Sequence, residues 1–331
     1  MNDRAAPLVD VRDLAVDFGT PTHPLPAVEG VDLAIEAGEI VGLVGESGSG
    51  KSVTALALMG LVDAPGRVHA ARMQFAGCDL MNLRDDARRA IAGRDIAMIF
   101  QDPHASLDPC YTVGYQLDEA IRLHGDTGER ASKTKRRARA CALLREVDIR
   151  EPEARLHAYP HQLSGGMAQR VKIAIALAGR PRLLIADEAT TALDVTVQAQ
   201  VLALLSRLRA ERAMAILLIT HDLAVVAETA DRVVVMYAGQ VMETGRVPEI
   251  FDAPRHPYTQ ALLDALPDHE PGRTRLRTIP GVVPGARDRP AGCLLAPRCA
   301  FAADRCAASR PALRMLAPHV GVRCHFPLGA G

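Results

Sequence analysis

One glycine-rich segment has the residue types and spacing to hold phosphate groups: Gly45, Glu46, Ser47, Gly48, Ser49, Gly50, Lys51 and Ser52. It fits the pattern G-x-x-x-x-G-K-[ST], in which a tightly turned backbone directs N–H groups at phosphate oxygens. The apolar run before it predicts a buried strand over 40–44. The residues after it, Ser52 to Met59, predict a helix whose N-terminus attracts anions. We therefore expect Lys51 to reach the β- and γ-phosphates of a nucleotide and Ser52 to ligate Mg²⁺.

Two acidic residues, Asp187 and Glu188, follow a run of four apolar residues at 183–186. Such a run is typical of a strand buried in a parallel sheet, and ligands bind at the carboxyl edge of these sheets. Asp187 is then placed to hold the waters around Mg²⁺, and Glu188 to orient and polarise an attacking water.

A second pair of glycines opens a predicted helix in the segment Leu163, Ser164, Gly165, Gly166, Met167, Ala168, Gln169 and Arg170. Backbone N–H groups at that helix tip form another anion site, which makes sense if it closes over a nucleotide held by a neighbouring subunit. The segment resembles the Leu-Ser-Gly-Gly-x-x-x-Arg signature of the ATP-binding subunits of ABC transporters. That resemblance implies a head-to-tail dimer with two sandwiched ATP molecules, in which Ser164 and Gly166 contact the γ-phosphate bound by the partner.

The same resemblance assigns roles to residues elsewhere in the chain. Gln101 matches the glutamine that senses Mg²⁺ and the γ-phosphate, and His221 matches the histidine that contacts the γ-phosphate. Residues 192–194 match the loop at the dimer interface. Phe18 matches the aromatic that stacks on adenine, although a core phenylalanine is the alternative. The implied catalytic residues are Lys51, Gln101, Glu188 and His221.

Three further segments narrow the resemblance to the peptide-importer branch, which covers oligopeptide, dipeptide and nickel uptake: residues 100–103, 191–200 and 256–259. The implied function is ATP hydrolysis that energises import of di- or oligopeptides, with nickel or another small solute as the alternative. One departure is Ala189, where the branch usually has proline. It contributes no catalytic atom, so we expect hydrolysis to be retained.

The resemblance also implies partners. These are two membrane-spanning permease subunits, a second ATPase subunit that is commonly a related chain rather than a copy, and, indirectly, an extracytoplasmic substrate-binding protein. The sequence does not identify the transported solute.

Four of the seven cysteines cluster near the end of the chain: Cys293, Cys299, Cys306 and Cys324. Four thiols in a small loop-rich segment suggest a metal site, and a reducing compartment disfavours disulfides. The segment resembles the cysteine-bearing tail of peptide-importer ATPases, some of which hold a four-iron, four-sulfur cluster. We therefore expect an iron–sulfur (4Fe-4S) cluster, with zinc or unmetallated thiols as alternatives.

The elements that must position these residues predict an α/β fold. By resemblance it is a RecA-like, mostly parallel sheet with an antiparallel edge subdomain, an inserted helical subdomain at about 102–180 and a small cysteine-containing C-terminal module. Residues 1–254 form the expected nucleotide-binding domain and 255–331 the module. The predicted strands are 8–18 (an edge strand), 31–35, 40–44, 72–75, 96–100, 183–186, 216–220 and 233–236. The predicted helices are 113–123, 134–147 and 166–178.

The amino-acid composition argues against one class of partner, nucleic acid. The 331 residues carry 39 basic and 39 acidic side chains, so their net charge of zero disfavours nucleic acid as a bulk electrostatic partner. A soluble ABC ATPase acting on nucleic acid usually has two cassettes or long coiled coils, whereas this chain has one phosphate loop. No signal segment and no apolar run of about 20 residues is present, which predicts a cytoplasmic protein. The resemblance to transporter subunits implies that it lies peripherally at the cytoplasmic face of the inner or cell membrane.

Overall fold

The computed structural model describes residues 6–20, 22–101, 107–125, 132–190, 193–266 and 279–329. The chain divides into two compact units, one of Met1–Met81 with Leu218–Gly331 and one of Asn82–Leu217.

The strands are β1 (Val9–Thr20), β2 (His23–Ile35), β3 (Ile40–Val44), β4 (Arg67–His69), β5 (Arg72–Phe75), β6 (Cys78–Asp79), β7 (Ile96–Ile99), β8 (Leu183–Asp187), β9 (Ala215–Thr220), β10 (Arg232–Tyr237), β11 (Gln240–Arg246), β12 (Arg314–Ala317) and β13 (Val320–Val322). The helices are α1 (Lys51–Met59), α2 (Asp85–Ile91), α3 (Val113–His124), α4 (Lys133–Glu146), α5 (Pro152–Arg155), α6 (Gly165–Ala176), α7 (Val195–Arg212), α8 (Leu223–Thr229), α9 (Val247–Asp252), α10 (Pro257–Leu263) and α11 (Asp304–Ala308).

The first unit contains an antiparallel sheet with β1 in its interior. β1 pairs with β2 on one side, where Val9 lies opposite Ile35, and with β4 and β5 on the other, where Val9 lies opposite Phe75. The prediction that β1 is an edge strand is therefore wrong. Its alternating apolar side chains are buried. Such alternation shows that one face of a strand is covered, but it does not show whether the strand pairs with other strands on one side or on both.

A second sheet in this unit carries the strand that leads into the phosphate loop. β10 pairs in parallel with β3 and antiparallel with β11, and β13 then pairs antiparallel with both β11 and β12. One hydrophobic cluster joins Val44, at the end of β3, to Tyr258, Leu294 and Leu295 from the last quarter of the chain. The C-terminal residues therefore share a core with the strand that positions the phosphate loop.

In the second unit, β7 and β8 pair in parallel, with Ile96 opposite Leu183 and Ile99 opposite Ala186. All residues of β8 are buried, as a strand covered on both faces requires. Helices α3, α4 and α6 pack on one another, and the predicted helices are confirmed to within a few residues at their ends. Each begins at a side-chain cap, Thr112, Ser132 or Ser164, whose hydroxyl accepts a backbone N–H of the first turn.

The architecture is α/β with mixed sheets, which agrees with the predicted class. Within the described ranges, no helix combines the length and apolar character needed to cross a bilayer. Four residues of the sequence-based assignments lie outside the described residues: Asp102, Pro103, Thr191 and Ala192.

Candidate functional site

The phosphate loop connects β3 to α1 along a path that requires glycine at both ends. Gly45 has a φ of 149°, and a Cβ atom there would lie 2.1 Å from the carbonyl oxygen of Met236. Gly50 has a φ of 97°, and its Cβ would lie 3.0 Å from the carbonyl oxygen of Ala27. Any larger residue would therefore displace the loop backbone, whose N–H groups the sequence motif expects to face phosphates.

Lys51 occupies the centre of this loop. Its side chain is buried, and Nζ donates to the carbonyl oxygens of Gly45 at 2.8 Å and Glu46 at 3.0 Å and to Ser49 Oγ at 3.3 Å. The ammonium lies beside the first turn of α1. The backbone N–H groups in the first turn of an α-helix have no carbonyl acceptor within the helix. A fixed positive charge together with the N–H groups at a helix N-terminus is suited to bind the negatively charged phosphates of a nucleoside triphosphate.

Glu46 is held by residues from the C-terminal part of the chain. Its backbone N–H donates to Tyr258 Oη at 3.0 Å, and its two carboxylate oxygens accept from the two terminal nitrogens of Arg298 at 3.0 Å each. Sequence reasoning missed this contact because the partners lie 252 positions apart and no local pattern links them. The only sequence feature that could have drawn attention to this contact is the position of Arg298 directly before Cys299.

Gln101 and Glu188 meet in the second unit. Both lie just beyond the carboxyl ends of the parallel neighbours β7 and β8, and Gln101 Nε2 donates to Glu188 Oε2 at 2.7 Å. Glu188 has a φ of 47°, a left-handed conformation that is rare for residues other than glycine and concentrates at functional sites. Asp187, the last residue of β8, is buried. The sequence assigned a role to each residue separately, and the structure adds that the two side chains are in contact.

A cavity of about 470 Å³ in the second unit joins this pair to the start of α6. Its lining includes Gln101, Glu188 and Gly165. Ser164 is exposed and caps α6, because its hydroxyl accepts the N–H of Met167 at 3.3 Å. Gly166 has a packing reason to be glycine, since a Cβ there would lie 2.8 Å from a methyl group of Val197 in α7.

The remaining predicted site residues occupy separate positions. His221 is exposed directly after β9, and the following Asp222 caps α8 by accepting the N–H of Ala224 at 2.9 Å. Phe18 is partly exposed near the end of β1, where its ring packs against the position of Gly66. Asp194 caps α7, with its carboxylate accepting the N–H of Val197 at 2.9 Å.

The four-cysteine cluster (Cys293, Cys299, Cys306 and Cys324) lines one cavity of about 10 Å³, which is space for about one water molecule. A four-iron cluster does not fit this volume. Burial raises the pKa of the thiols of Cys293, Cys299 and Cys324, which favours the neutral thiol over the thiolate that metals bind. Across the part of the chain that the structure describes, no group of three or more His, Cys, Asp or Glu side chains is arranged to hold a metal ion. The prediction of an iron–sulfur cluster is therefore wrong.

Comparison with known proteins assigns both parts of the chain to families. Residues 28–191 match the family described as ABC transporter, and residues 242–306 match the oligopeptide/dipeptide transporter C-terminal region. The chain is 57% identical over 321 residues to the dipeptide transport ATP-binding protein DppD of Escherichia coli strain K12, covering 97% of each chain. It is 53% identical over 324 residues to DppD of Haemophilus influenzae, covering 97% of this chain and 96% of the relative.

Solved structures with a similar fold include two cassettes. The dimeric post-hydrolysis state of the ATP-binding cassette MJ0796, bound to ADP and Pi, has a TM-score of 0.62 at 28% identity and covers 72% of this chain and 98% of its own. The structure of cbiO1 from Clostridium perfringens, part of the ABC transporter complex cbiONQ, has a TM-score of 0.62 at 25% identity, covering 75% of this chain and 92% of its own.

Proposed function

Because the chain belongs to the ABC transporter family of ATP-binding proteins, in its oligopeptide/dipeptide branch, we propose that it hydrolyses ATP to energise the import of di- or oligopeptides. The observation that carries this proposal is the buried Lys51 at the centre of an intact phosphate loop, in a chain that matches dipeptide-transport relatives over 97% of its length. The nucleotide-contacting residues are Phe18, Gly45, Glu46, Ser47, Gly48, Ser49, Gly50, Lys51, Ser52 and Val53.

The chain's own residues supply the steps of hydrolysis. The Lys51 ammonium neutralises charge on the β- and γ-phosphates, and Ser52 with Asp187 would hold Mg²⁺, which supplies further positive charge to the phosphate oxygens. Glu188 orients and polarises the attacking water, while the amide of Gln101 fixes its carboxylate. His221 stabilises the charge that develops on the γ-phosphate.

Turnover also needs a second subunit. Ser164 and Gly166 of one subunit close over the nucleotide held by the other, so that ATP binding drives dimer closure and hydrolysis reopens it. The proposal is supported by the exposed position of Ser164 at the tip of α6 and by the dimeric state of the similar cassette MJ0796. The partner is a related ATPase chain rather than a copy.

Two membrane-spanning permease subunits receive this motion, and an extracytoplasmic binding protein delivers the peptide to them. The chain then lies peripherally at the cytoplasmic face of the membrane, and nucleic acid is not a partner. Residues 1–254 act as the nucleotide-binding domain, with a helical subdomain at about 102–180, and residues 255–331 form the C-terminal module.

Reconstitution tests this function directly. The chain, its partner ATPase and the two permease subunits are placed in liposomes with the binding protein, and ATP hydrolysis is measured with uptake of a labelled dipeptide. We expect the dipeptide to stimulate hydrolysis and to enter the liposomes. Uptake of nickel but not of peptide would favour the alternative solute, and hydrolysis stimulated only by nucleic acid would overturn the importer assignment.

A further inference from the structure

Three groups of Glu46, the second residue of the phosphate loop, are held by hydrogen bonds. Its carbonyl oxygen accepts from Lys51 at 3.0 Å, its N–H donates to Tyr258 at 3.0 Å, and its carboxylate forms a two-pronged ion pair with Arg298. Only the first of these contacts comes from the loop itself. The other two come from the C-terminal module, so residues far along the chain determine the path of the loop at this point.

Arg298 is itself held rigidly. Its side chain is only 6% exposed, Nε donates to the carbonyl oxygen of Pro280 at 2.7 Å, and Nη2 donates to that of Ile279 at 3.4 Å. One terminal nitrogen also donates to Tyr237 Oη at 3.3 Å, and the guanidinium lies 5.6 Å from the centre of the Tyr237 ring. A planar guanidinium satisfied on several edges has little freedom to swing away.

The two tyrosines complete the arrangement. The rings of Tyr237 and Tyr258 meet edge to face, with centroids 4.9 Å apart, and both side chains are fully buried. Tyr237 ends β10, the strand beside β3, and Tyr258 lies in α10. The contact between Glu46 and Arg298 is therefore anchored in the same core that supports β3.

The charge of Glu46 gives this arrangement a consequence for nucleotide binding. A carboxylate on a loop that receives a polyanion repels it, and the repulsion is strong where solvent is limited. Glu46 is 30% exposed, so water screens its charge only in part, while the paired guanidinium neutralises it through two charge-assisted hydrogen bonds. Removing Arg298 would leave a negative charge beside the phosphates and release the loop at Glu46.

We infer that Arg298, supported by Tyr258, is a positioning residue through which the C-terminal module controls the affinity of the phosphate loop for nucleotide. The inference rests on the proposed function, because it assumes that the loop binds ATP. It assigns the module a role at the nucleotide that requires neither a metal nor contact between Arg298 and the substrate.

The test measures binding of the magnesium complex of a non-hydrolysable ATP analogue to the full chain. We expect Arg298→Ala to weaken binding about tenfold, the loss expected when a hydrogen-bonded charge pair is broken. The double variant Arg298→Ala with Glu46→Gln should recover part of the affinity, because it removes the uncompensated carboxylate and keeps the backbone N–H and carbonyl through which residue 46 belongs to the loop. Arg310→Ala is the matched control: Arg310 also belongs to the module, but its side chain pairs with Glu29 and not with a residue of the loop, so the affinity of this variant should match wild type.

Hydrogen exchange of the loop amides, without nucleotide, provides a second measurement that does not depend on ATP. Arg298→Ala should exchange faster over residues 45–52 than wild type, and Arg310→Ala should not. Unchanged affinity and exchange in Arg298→Ala would overturn the inference and leave the proposed function intact. Equal losses in both variants, with no recovery in the double variant, would also overturn it, because they indicate a general weakening of the module. If wild type binds no analogue, the proposed function fails, and the exchange comparison alone decides whether Arg298 orders the loop.

Discussion

The phosphate loop and the four-cysteine cluster differ in how their ligand-binding groups are assembled. The loop places its groups within residues 45–52, and most of these groups are backbone N–H groups whose directions follow from local torsion angles. The cysteines come from residues 293–324, and their thiols meet around a cavity of about 10 Å³. A metal site requires several side chains to converge within a few tenths of an ångström, which no local spacing guarantees.

A residue pattern therefore predicts a ligand site more reliably when neighbouring residues alone set the positions of the ligand-binding groups. A contiguous loop between a buried strand and a helix has few alternative conformations. A set of spaced cysteines has many, and small buried thiols are among the ordinary core residues of proteins.

Glu188→Gln gives the largest expected effect and tests whether local motifs also predict catalysis. If Glu188 is the general base, as proposed, this change should lower kcat by about 10³-fold or more while MgATP binding is retained, because glutamine keeps the shape of the side chain but cannot polarise water. Hydrolysis is measured by phosphate release and binding by equilibrium titration. Turnover near the wild-type rate would show that Glu188 is not the general base. It would also show that a local sequence motif does not by itself predict catalysis.

Gly45→Ala tests whether the loop depends on its backbone. The new Cβ would lie 2.1 Å from the Met236 carbonyl oxygen at a φ of 149°, so strain and overpacking together should cost about 4 kcal/mol. Gly38→Ala is the matched control, because Gly38 also has a positive φ, 71°, but nothing lies within 4 Å of its Cβ position. It should cost only about 1 kcal/mol. Equal costs in thermal unfolding would show that the close approach at Gly45 is unimportant.

His256 tests what stabilises the C-terminal part of the chain. Burial lowers its pKa from the ordinary value to about 4, and its ring nitrogen accepts the N–H of Tyr258 at 3.0 Å. Since the folded pKa lies below the unfolded value of about 6.5, the unfolded chain binds more protons between these values. The contribution of neutral His256 is present above pH 6.5 and is lost as pH falls toward 4, by about 3 kcal/mol at most.

His256→Asn should therefore flatten the fall in unfolding free energy over this pH range, because asparagine can still accept the N–H of Tyr258. Denaturant unfolding at a series of pH values measures the difference between wild type and variant. Burial also raises the pKa of Glu243, whose carboxylate accepts the N–H of His256, but that group is present in both proteins and cancels in the comparison. Parallel curves would exclude His256 as the titrating group.

Cys306→Ala gives the smallest expected effect and bears on the cysteine cluster. If Cys306 is an ordinary buried thiol, the substitution should cost about 1 kcal/mol of unfolding free energy. The exposed Cys78→Ala should change it by less than about 0.5 kcal/mol. A loss of several kcal/mol at Cys306, with unfolding of the module, would show that the thiols form a mutually dependent structure.

Much of the secondary structure could be predicted from periodicity. The buried runs at β3, β8, β9 and β10 and the helices α3, α4 and α6 are each signalled by a few consecutive residues. The short elements of the last quarter, β12, β13 and α11, were not predicted, because Pro- and Gly-rich segments carry little periodicity. The interior position of β1 was missed because hydrogen-bond partners on each side leave no mark on side-chain alternation.

Contiguous residues were enough to identify the phosphate loop, the acids after β8 and the ABC transporter family, because the geometry behind each of these motifs is local. Only the folded structure shows that the four cysteines line a cavity of about 10 Å³ and that Arg298 pairs with Glu46. It also decided that Gln101 and Glu188 meet at 2.7 Å. The physical reason is that local torsion angles position neighbours along the chain, whereas contacts between distant residues depend on how the sheets and the hydrophobic core bring them together.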